Sequence, residues 1–414
     1  MSTPTITLYG AHWCPDCRRS KQFLGEHQIP YNWVNIEEDA EAEQFVIATN
    51  DGKRIIPTIV FEDGSFLVEP SNADLAGKLG LKTTASRTFY DVIIIGGGPA
   101  GLTTALYAAR EGIDTLVIER AAFGGQAAAT EKLDNLPGFP ESIAGIDFAN
   151  RLREQAEKFG VELLQAQDIV SLHTHDNYHC VVTGDGSRYS AHALVIATGS
   201  RYRRLGVPGE SDYIGAGVHF CATCDGPFYK GKQVVVVGGG NSAAEESLLL
   251  TKFADKVTIL VRKDHLNASQ IIQESVLTHP QIEVIWNTEV QEFKGAASKL
   301  TTLALLDNST GKPSEMAVDG AFIFIGLDPN TGFLADTDVR LNEWGFIVTG
   351  HDLVHDPAHR PAPFAQREPA MLESSVPGIF AAGDVRQGST KQVASATGEG
   401  AAVALLIRAY LKRV

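Results

Sequence analysis

Cysteine, methionine and tryptophan are scarce in this sequence of 414 residues, at five, three and four copies. No apolar run approaches the ~18 residues that a membrane-spanning helix needs, which argues against a spanning segment. Basic residues are outnumbered: 35 Lys and Arg face 50 Asp and Glu, a net charge of -15 that repels nucleic acid and anionic membrane as partners. Residues 1–8 carry neither a positive n-region nor a long apolar core, so no signal peptide is read there and a cytoplasmic protein is expected. Five cysteines do not make a disulfide framework. Four of them form two Cys-x-x-Cys pairs, Cys14/Cys17 and Cys221/Cys224, a pattern that suits redox chemistry in a reducing compartment. The fifth, Cys180, lies in an apolar strand-like stretch and is expected as buried filler.

What is present is globular usage, with 44% hydrophobic and 21% charged residues, in a chain long enough for about three domains. Residues 3–9 read as a strand, Cys14 opens a helix running to about His27, and Tyr31 to Asn35 with a helix over Ala40 to Ala48 completes a β-α-β-α unit. Ile55 to Phe61, an Asp63-Gly64 hairpin turn, Ser65 to Val68 and a short helix to about Leu79 follow. This is the element order of a thioredoxin-like domain, placed at 1–82. Lys82 to Arg87 is short and polar, with 83–87 as the linker; at ~3.5 Å per residue it spans about 20 Å and holds the domain on a short tether.

From Phe89 the pattern becomes strand, glycine turn and helix, twice over. Tyr90 to Ile95 leads into Gly96-Gly97-Gly98-Pro99-Ala100-Gly101 and a helix to Arg110, with Thr115 to Glu119 as the next strand. Gln233 to Val237 leads into Gly238-Gly239-Gly240-Asn241-Ser242-Ala243, a helix to Phe253 and a strand over Lys256 to Val261. In each copy the first glycine permits the turn, the second lets backbone approach a pyrophosphate, and the third small residue lets helix and strand pack closely. The fold class expected is therefore α/β, a thioredoxin-like domain followed by two Rossmann-like dinucleotide-binding domains. Ile379 to Asp384 and a helix from Gln392 to Leu411 read as the return of the chain to the first of these. Residues 351–375, rich in Pro, His and Ala, read as an inserted surface loop.

The residue ending the next strand separates the two cofactors. Equivalent spacing after Gly96 and Gly238 falls on Glu119 in the first fold and Val261 in the second, the latter followed by Arg262-Lys263. A carboxylate there accepts from a ribose diol, whereas cations without it suit a 2′-phosphate, so the first fold is assigned FAD and the second NADPH. The open alternative makes Arg262-Lys263 a solvated face and leaves the preference over NADH undecided. For the dithiols, Cys-x-x-Cys at a helix start places two sulfurs together and favours a thiolate. A four-thiolate zinc site is the rival, and the wide separation of the pairs in different folds weighs against any metal. Asp225, adjacent to Cys224, suits a proton carrier for disulfide reduction, the alternative being a solvated turn residue. His219 stands between handling protons and simply being packed.

At this point the residues resemble a known family. Residues 89–414 are similar to a low-molecular-weight, bacterial-type thioredoxin reductase, through Gly124-Gly125-Gln126, Asn135 to Gly138, Ala197-Thr198-Gly199, Cys221 to Gly226, Phe324-Ile325-Gly326 and Gly383-Asp384. Residues 3–81 resemble a glutaredoxin of the mycoredoxin-like branch, through Asp63-Gly64-Ser65 and Pro70-Ser71. The resemblance implies that Gly96, Gly98, Gly101, Gly125, Thr198 and Gly199 help hold FAD, with Glu119 on its ribose. It puts Gln126 and Asn135 near the flavin, Asp384 near the ribityl or phosphate region, and Lys391 and Gln392 by the isoalloxazine ring. Gly238, Gly240, Asn241, Ser242, Ala243, Arg262 and Lys263 would bind NADPH. It further implies that Cys224 faces the flavin and that Cys221 attacks the acceptor with Asp225 as acid and base. The thioredoxin-like fold implies a cis Ile56-Pro57 beside the first dithiol, the alternative being a trans proline on an edge strand.

The family's architecture implies an FAD domain at 88–202 and 328–414 split around an NADPH domain at 203–327, a homodimer, and rotation of the NADPH domain during turnover. Two features depart from its pattern. Its basic cluster reads His-Arg-Arg with a further arginine four positions beyond, but here Val261-Arg262-Lys263 is followed by Asn267, which weakens phosphate selectivity. The fused glutaredoxin-like domain is the other, and it is a candidate built-in substrate. The leading expectation is an NADPH-dependent FAD disulfide reductase that passes electrons from Cys221/Cys224 to Cys14/Cys17 and on to a protein or low-molecular-weight disulfide. Cys14 is expected as the exposed nucleophile and Cys17 as the resolving thiol. A peroxiredoxin reductase is the alternative enzyme, and a flavin-bound redox sensor the alternative outside catalysis.

Overall fold

Apolar strands alternating with glycine-started helices produce α/β layers along the whole chain. A computed structural model describes residues 6–27, 29–130, 132–133, 135–175, 177–296, 299–355 and 360–413. It divides into two units, one of Met1–Ala129, Gly145–Gly199 and Thr331–Val414, the other of Thr130–Ala144 and Ser200–Asn330.

The first unit opens with a four-stranded sheet ordered Asn32–Asn35, Thr7–Gly10, Thr58–Val60, Phe66–Val68, its first pair parallel and the rest antiparallel. The strand expected over residues 3–9 is thus found from Thr7; residues 3–5 lie outside the described residues. Leu8, Phe23, Leu24, Ile59 and Leu75 bury one face of it. The helix Pro15–Glu26 starts where Cys14 caps it and Pro15 needs no N–H partner, and Asn72–Lys78 is started by a Ser71/Asp74 capping box. Ile56-Pro57 is cis.

The linker is pinned rather than slack. Glu162, on the edge strand Glu162–Leu164, accepts from Ser86 N at 2.6 Å, Ser86 Oγ at 2.8 Å and Tyr90 OH at 2.6 Å, and pairs with Lys82 Nζ at 2.7 Å. Gln165 N–H donates to the Lys82 carbonyl at 2.9 Å, and Ala85 N–H to Tyr189 OH at 3.2 Å. Burial works against the charge on Glu162, but donors from Lys82, Tyr90 and Ser86 pull its carboxyl down to about 2. Four donors on one carboxylate turn the expected tether into a clasp.

The larger sheet of this unit runs Glu162–Leu164, Thr115–Ile118, Phe89–Ile95, Arg188–Ile196, His179–Thr183, Ile169–Thr174, with Ile379–Ala381 pairing parallel to the end of Arg188–Ile196. That pairing is the expected return of the chain. Cys180 is buried in the strand His179–Thr183. The helix Val393–Leu411 packs on Pro99–Arg110 at Gly400, where a Cβ would come 2.4 Å from the Ala100 carbonyl oxygen. The segment expected as a surface loop is packed over part of its length. Val348, Leu353, Val354 and Phe364 form a small core, and Arg367 grips the buried Glu373 carboxylate with two nitrogens at 2.8 and 2.7 Å. Residues 356–359 of that segment lie outside the described residues.

The second unit carries a five-stranded parallel sheet ordered Val218–His219, Gly320–Ile323, Gln233–Val237, Lys256–Leu260, Ile282–Ile285. A three-stranded antiparallel sheet, Thr288–Ala296, Lys299–Asp307 and Pro313–Ala317, and a two-stranded pair, Ser200–Tyr202 with Leu327–Pro329, complete it. Among the described residues, no helix is long and apolar enough to cross a membrane.

Candidate active site

Each glycine loop divides three tasks among three residues, and the space a Cβ would occupy shows which is which. At Gly96, with φ +108°, a Cβ would lie 2.4 Å from the Ala197 carbonyl oxygen and 2.9 Å from Thr198 N. At Gly101 it would lie 1.9 Å from the Gly96 carbonyl oxygen, so helix and strand touch backbone to backbone. At Gly98 the nearest atom is the Gly125 Cα at 4.0 Å, leaving open space over the start of Pro99–Arg110, which has no side-chain cap. Unsatisfied N–H groups at an open helix N-terminus suit a pyrophosphate. Gly383 closes on the same point, its Cβ position 3.0 Å from the Ala100 Cβ. Gly96, Gly98, Gly101, Gly125, Thr198 and Gly383 therefore converge.

The second loop repeats the arrangement. At Gly238, with φ +148°, a Cβ would lie 2.3 Å from the Phe324 carbonyl oxygen and 2.9 Å from the Ala243 Cβ, while at Gly240 it would meet nothing within 4 Å, and Gly240 precedes the uncapped helix Asn241–Leu250. Ala243 is buried as the small packing residue, and Ser242 is exposed. Asn241 Oδ1 accepts from Ser269 N at 2.7 Å, which braces the loop.

Glu119 reaches back into the first loop, Oε2 accepting from Gly97 N at 2.6 Å and Oε1 from Ala121 N at 2.9 Å. Burial pushes its carboxyl up and these donors oppose the rise. The equivalent Val261 is buried, with Arg262 and Lys263 exposed beyond it. The donor sets differ as a ribose-binding and a phosphate-binding strand end should, so the residues present fit FAD in the first loop and NADPH in the second.

Of the residues placed near a flavin by resemblance, Gly199 has φ +66° and is half-buried beside Thr198, and Gln126 is exposed at the short helix Gly125–Ala128. Asp384 and Lys391 are brought together: Lys391 Nζ donates to the Asp384 carbonyl at 2.8 Å, and Ser389 Oγ lies 3.4 Å from Asp384 Oδ1. Burial pushes the Asp384 carboxyl up and the Lys391 ammonium down. Gln392 is the N-cap residue of Val393–Leu411. Asn135 is exposed within Thr130–Ala144 of the second unit.

The two dithiols share one local geometry. Cys14 is the N-cap of Pro15–Glu26 and its Sγ accepts from Cys17 N at 3.1 Å; Cys221 is the N-cap of Ala222–Asp225 and its Sγ accepts from Cys224 N at 3.1 Å. Cys221 and Cys224 are joined as a disulfide, while Cys14 and Cys17 are free thiols. Cys14 is not the exposed nucleophile expected: it is 3% exposed, because its Sγ turns inward to Cys17 N and the Ile56 carbonyl rather than outward. The Cys17 thiol is pushed up to about 12, by burial first and then by Cys14, which favours the protonated thiol.

Asp225 is not an isolated turn residue. Its Oδ2 lies 3.3 Å from His219 Nδ1, and His219 Nε2 is 2.6 Å from Tyr229 OH. Sequence reasoning named His219 and Asp225 separately and missed Tyr229; three polar residues flanking one Cys-x-x-Cys were the available signal. It also missed Glu162, whose strand position carries no motif, and the Arg386/Glu399 pair, whose Oε2 takes the Gly383 N–H at 2.7 Å and so braces the Asp384 turn.

Comparison with known proteins agrees with this geometry. Residues 90–400 match the model described as pyridine nucleotide-disulphide oxidoreductase, and residues 6–67 match the glutaredoxin model. The thioredoxin reductase of Treponema pallidum is 41% identical over 324 residues, covering 78% of this chain and 98% of that protein. That of Bacillus subtilis is 42% identical over 325 residues, covering 78% and 96%. Among solved structures, thioredoxin reductase from Streptococcus pyogenes is similar with a TM-score of 0.71 at 38% identity, covering 80% of this chain and 100% of that one. The Giardia duodenalis thioredoxin reductase gives 0.70 at 33%, covering 79% and 100%.

Proposed function

This chain belongs to the pyridine nucleotide-disulphide oxidoreductase family, as a thioredoxin reductase-like flavoprotein with an N-terminal glutaredoxin domain, and we propose that the fused domain is its built-in electron acceptor. The observation that carries this reading is the pair of dithiols with one cap geometry, the first cysteine of each capping a helix and accepting from the N–H three residues on, in a chain whose linker is fixed in place. FAD held by Gly96, Gly98, Gly101, Gly125, Gln126, Asn135, Thr198, Gly199, Asp384, Lys391 and Gln392, with Glu119 on its ribose, would take hydride from NADPH held by Gly238, Gly240, Asn241, Ser242, Ala243, Arg262 and Lys263, and supply an electron pair to a disulfide.

The remaining steps belong to the protein. Reduced Cys221 attacks the oxidised Cys14–Cys17 bond, forming one S–S bond and expelling Cys17 as a thiolate, which takes a proton delivered by Asp225. Cys224 then attacks Cys221, restoring the Cys221–Cys224 disulfide and releasing Cys14. Two electrons and two protons have moved. Cys14 next attacks an external disulfide and Cys17 resolves the mixed disulfide, regenerating the oxidised pair and yielding two thiols. The external acceptor is a protein or low-molecular-weight disulfide, thioredoxin being the one that the similar reductases are named for. The same reading takes the enzyme as a cytoplasmic homodimer, supported by the family resemblance and the cysteine usage.

The test is anaerobic reduction of the fully oxidised protein with limiting NADPH, followed by alkylation and mapping. Labelling of Cys14 and Cys17 along with Cys221 and Cys224 is expected. Labelling confined to Cys221 and Cys224 would show that the N-terminal domain is not served by this reductase.

A further inference from the structure

A buried imidazole needs partners for both ring nitrogens, and the fold supplies them to His219 from two directions. The strand Val218–His219 pairs with Gly320–Ile323 so that His219 lies opposite Phe322, and its ring packs 5.2 Å from Phe322 and 5.3 Å from Tyr229. Tyr229 enters because residue 320 is glycine: a Cβ there would stand 2.3 Å from its ring. Burial, then the Asp225 and Asp319 carboxylates, push the Tyr229 phenol up, so its hydroxyl remains a donor. Donation to Nε2 at 2.6 Å leaves the ring proton on Nδ1, where it faces Asp225 Oδ2 at 3.3 Å.

We propose that His219, its tautomer held by Tyr229, is the positioning residue for the proton carrier Asp225. The inference rests on the reading above that Asp225 carries protons. Reducing one acceptor disulfide at Cys221/Cys224 breaks one S–S bond, forms another and yields two thiols, so two protons must cross. His219 aims the Asp225 carboxyl and stabilises the charge left at each delivery. The other charged or titratable groups facing this cluster are Asp319 and Lys232 beside Tyr229, and Glu246, which accepts the Ala222 N–H and whose carboxyl burial pushes up.

The test uses the full-length flavoprotein in a Cys14→Ser, Cys17→Ser background, so that, with Cys180 buried, a dithiobis-nitrobenzoate probe draws on Cys221 and Cys224. Stopped-flow oxidation of the reduced enzyme is followed across pH, beside flavin bleaching by NADPH in the same variants. His219→Phe should slow exchange about tenfold relative to bleaching and displace its pH profile, with a loss of about threefold for Tyr229→Phe. His219→Gln, which keeps an N–H near the carboxyl, should recover part of the loss. In an Asp225→Asn background, His219→Phe should add nothing. An unmoved pH profile in His219→Phe, or the full loss persisting in the Asp225→Asn background, overturns the positioning role and leaves Asp225 as carrier. Exchange at the parental rate in Asp225→Asn alone overturns both. If His219→Phe does not fold, Tyr229→Phe decides: a parental rate and pH profile there overturn the proposal.

Discussion

At the scale of single residues, two glycines in one loop fail differently when substituted, which separates folding from binding. Gly101→Ala forces a Cβ to within 1.9 Å of the Gly96 oxygen, and the expected outcome is a loss of about 1–3 kcal/mol, read as a lower Tm of the flavin-free protein. Gly98 has room for a methyl group and a φ of -77° that alanine adopts freely, so Gly98→Ala should keep the Tm of the flavin-free protein while losing bound flavin, read by absorbance. Arg262→Ala should raise KM for NADPH about tenfold with little change for NADH, the effect of one charge-assisted contact to a 2′-phosphate. Equal changes for both nucleotides would make Arg262 a solvated residue. Cys14→Ser should abolish reduction of external protein disulfides while NADPH still bleaches the flavin. The glycine loops and dithiols were legible in sequence because their chemistry depends on near neighbours; the inward turn of Cys14 was not, because it depends on the Ile56 carbonyl across the fold.

Among elements, the linker is the one whose character changed most between sequence and structure. Its composition reads as a solvated tether, yet Glu162 gathers Lys82, Ser86 and Tyr90 onto one strand edge. The folded carboxyl lies near 2 against an ordinary 4.5, so the clasp contributes stability above pH 4.5 and loses it as pH falls from 4.5 towards 2. Glu162→Gln should open the segment 82–87 to proteolytic nicking near neutral pH, where the parent resists. Equal resistance of both proteins would mean that the remaining contacts, Gln165 N to Lys82 O, Ala85 N to Tyr189 OH and Arg87 to Asp114, hold it alone. The same contrast holds for the inserted segment, where Arg367 and Glu373 fix what Pro and His content suggested was open loop.

For the molecule as a whole, acid is the expected weakness, and one buried histidine sets where it begins. Burial holds His179 down at about 4 against an ordinary 6.5, so the unfolded chain binds a proton that the fold refuses. Stability is therefore full above 6.5 and declines as pH falls towards 4; His179→Gln should flatten the Tm profile over that interval, and an unchanged slope would assign the decline elsewhere. The N-terminal α/β unit and the two dinucleotide folds were readable because strand, glycine turn and helix follow one another within a few residues and impose their own periodicity. So were the dithiols and the exchange of Glu119 for Val261, since a strand end and a helix start fix them locally. The three-stranded sheet Thr288–Ala296, Lys299–Asp307 and Pro313–Ala317 carries no such marker and emerged only with the structure. What tertiary structure alone decided are the meetings of side chains: Glu162 with the linker, Gly383 with Ala100, and Tyr229 with His219 and Asp225 through the space left at Gly320. Sequence spacing fixes which residues share an element, but strand register and packing fix where their polar atoms point, and the direction of those atoms determines which protons and charges they hold.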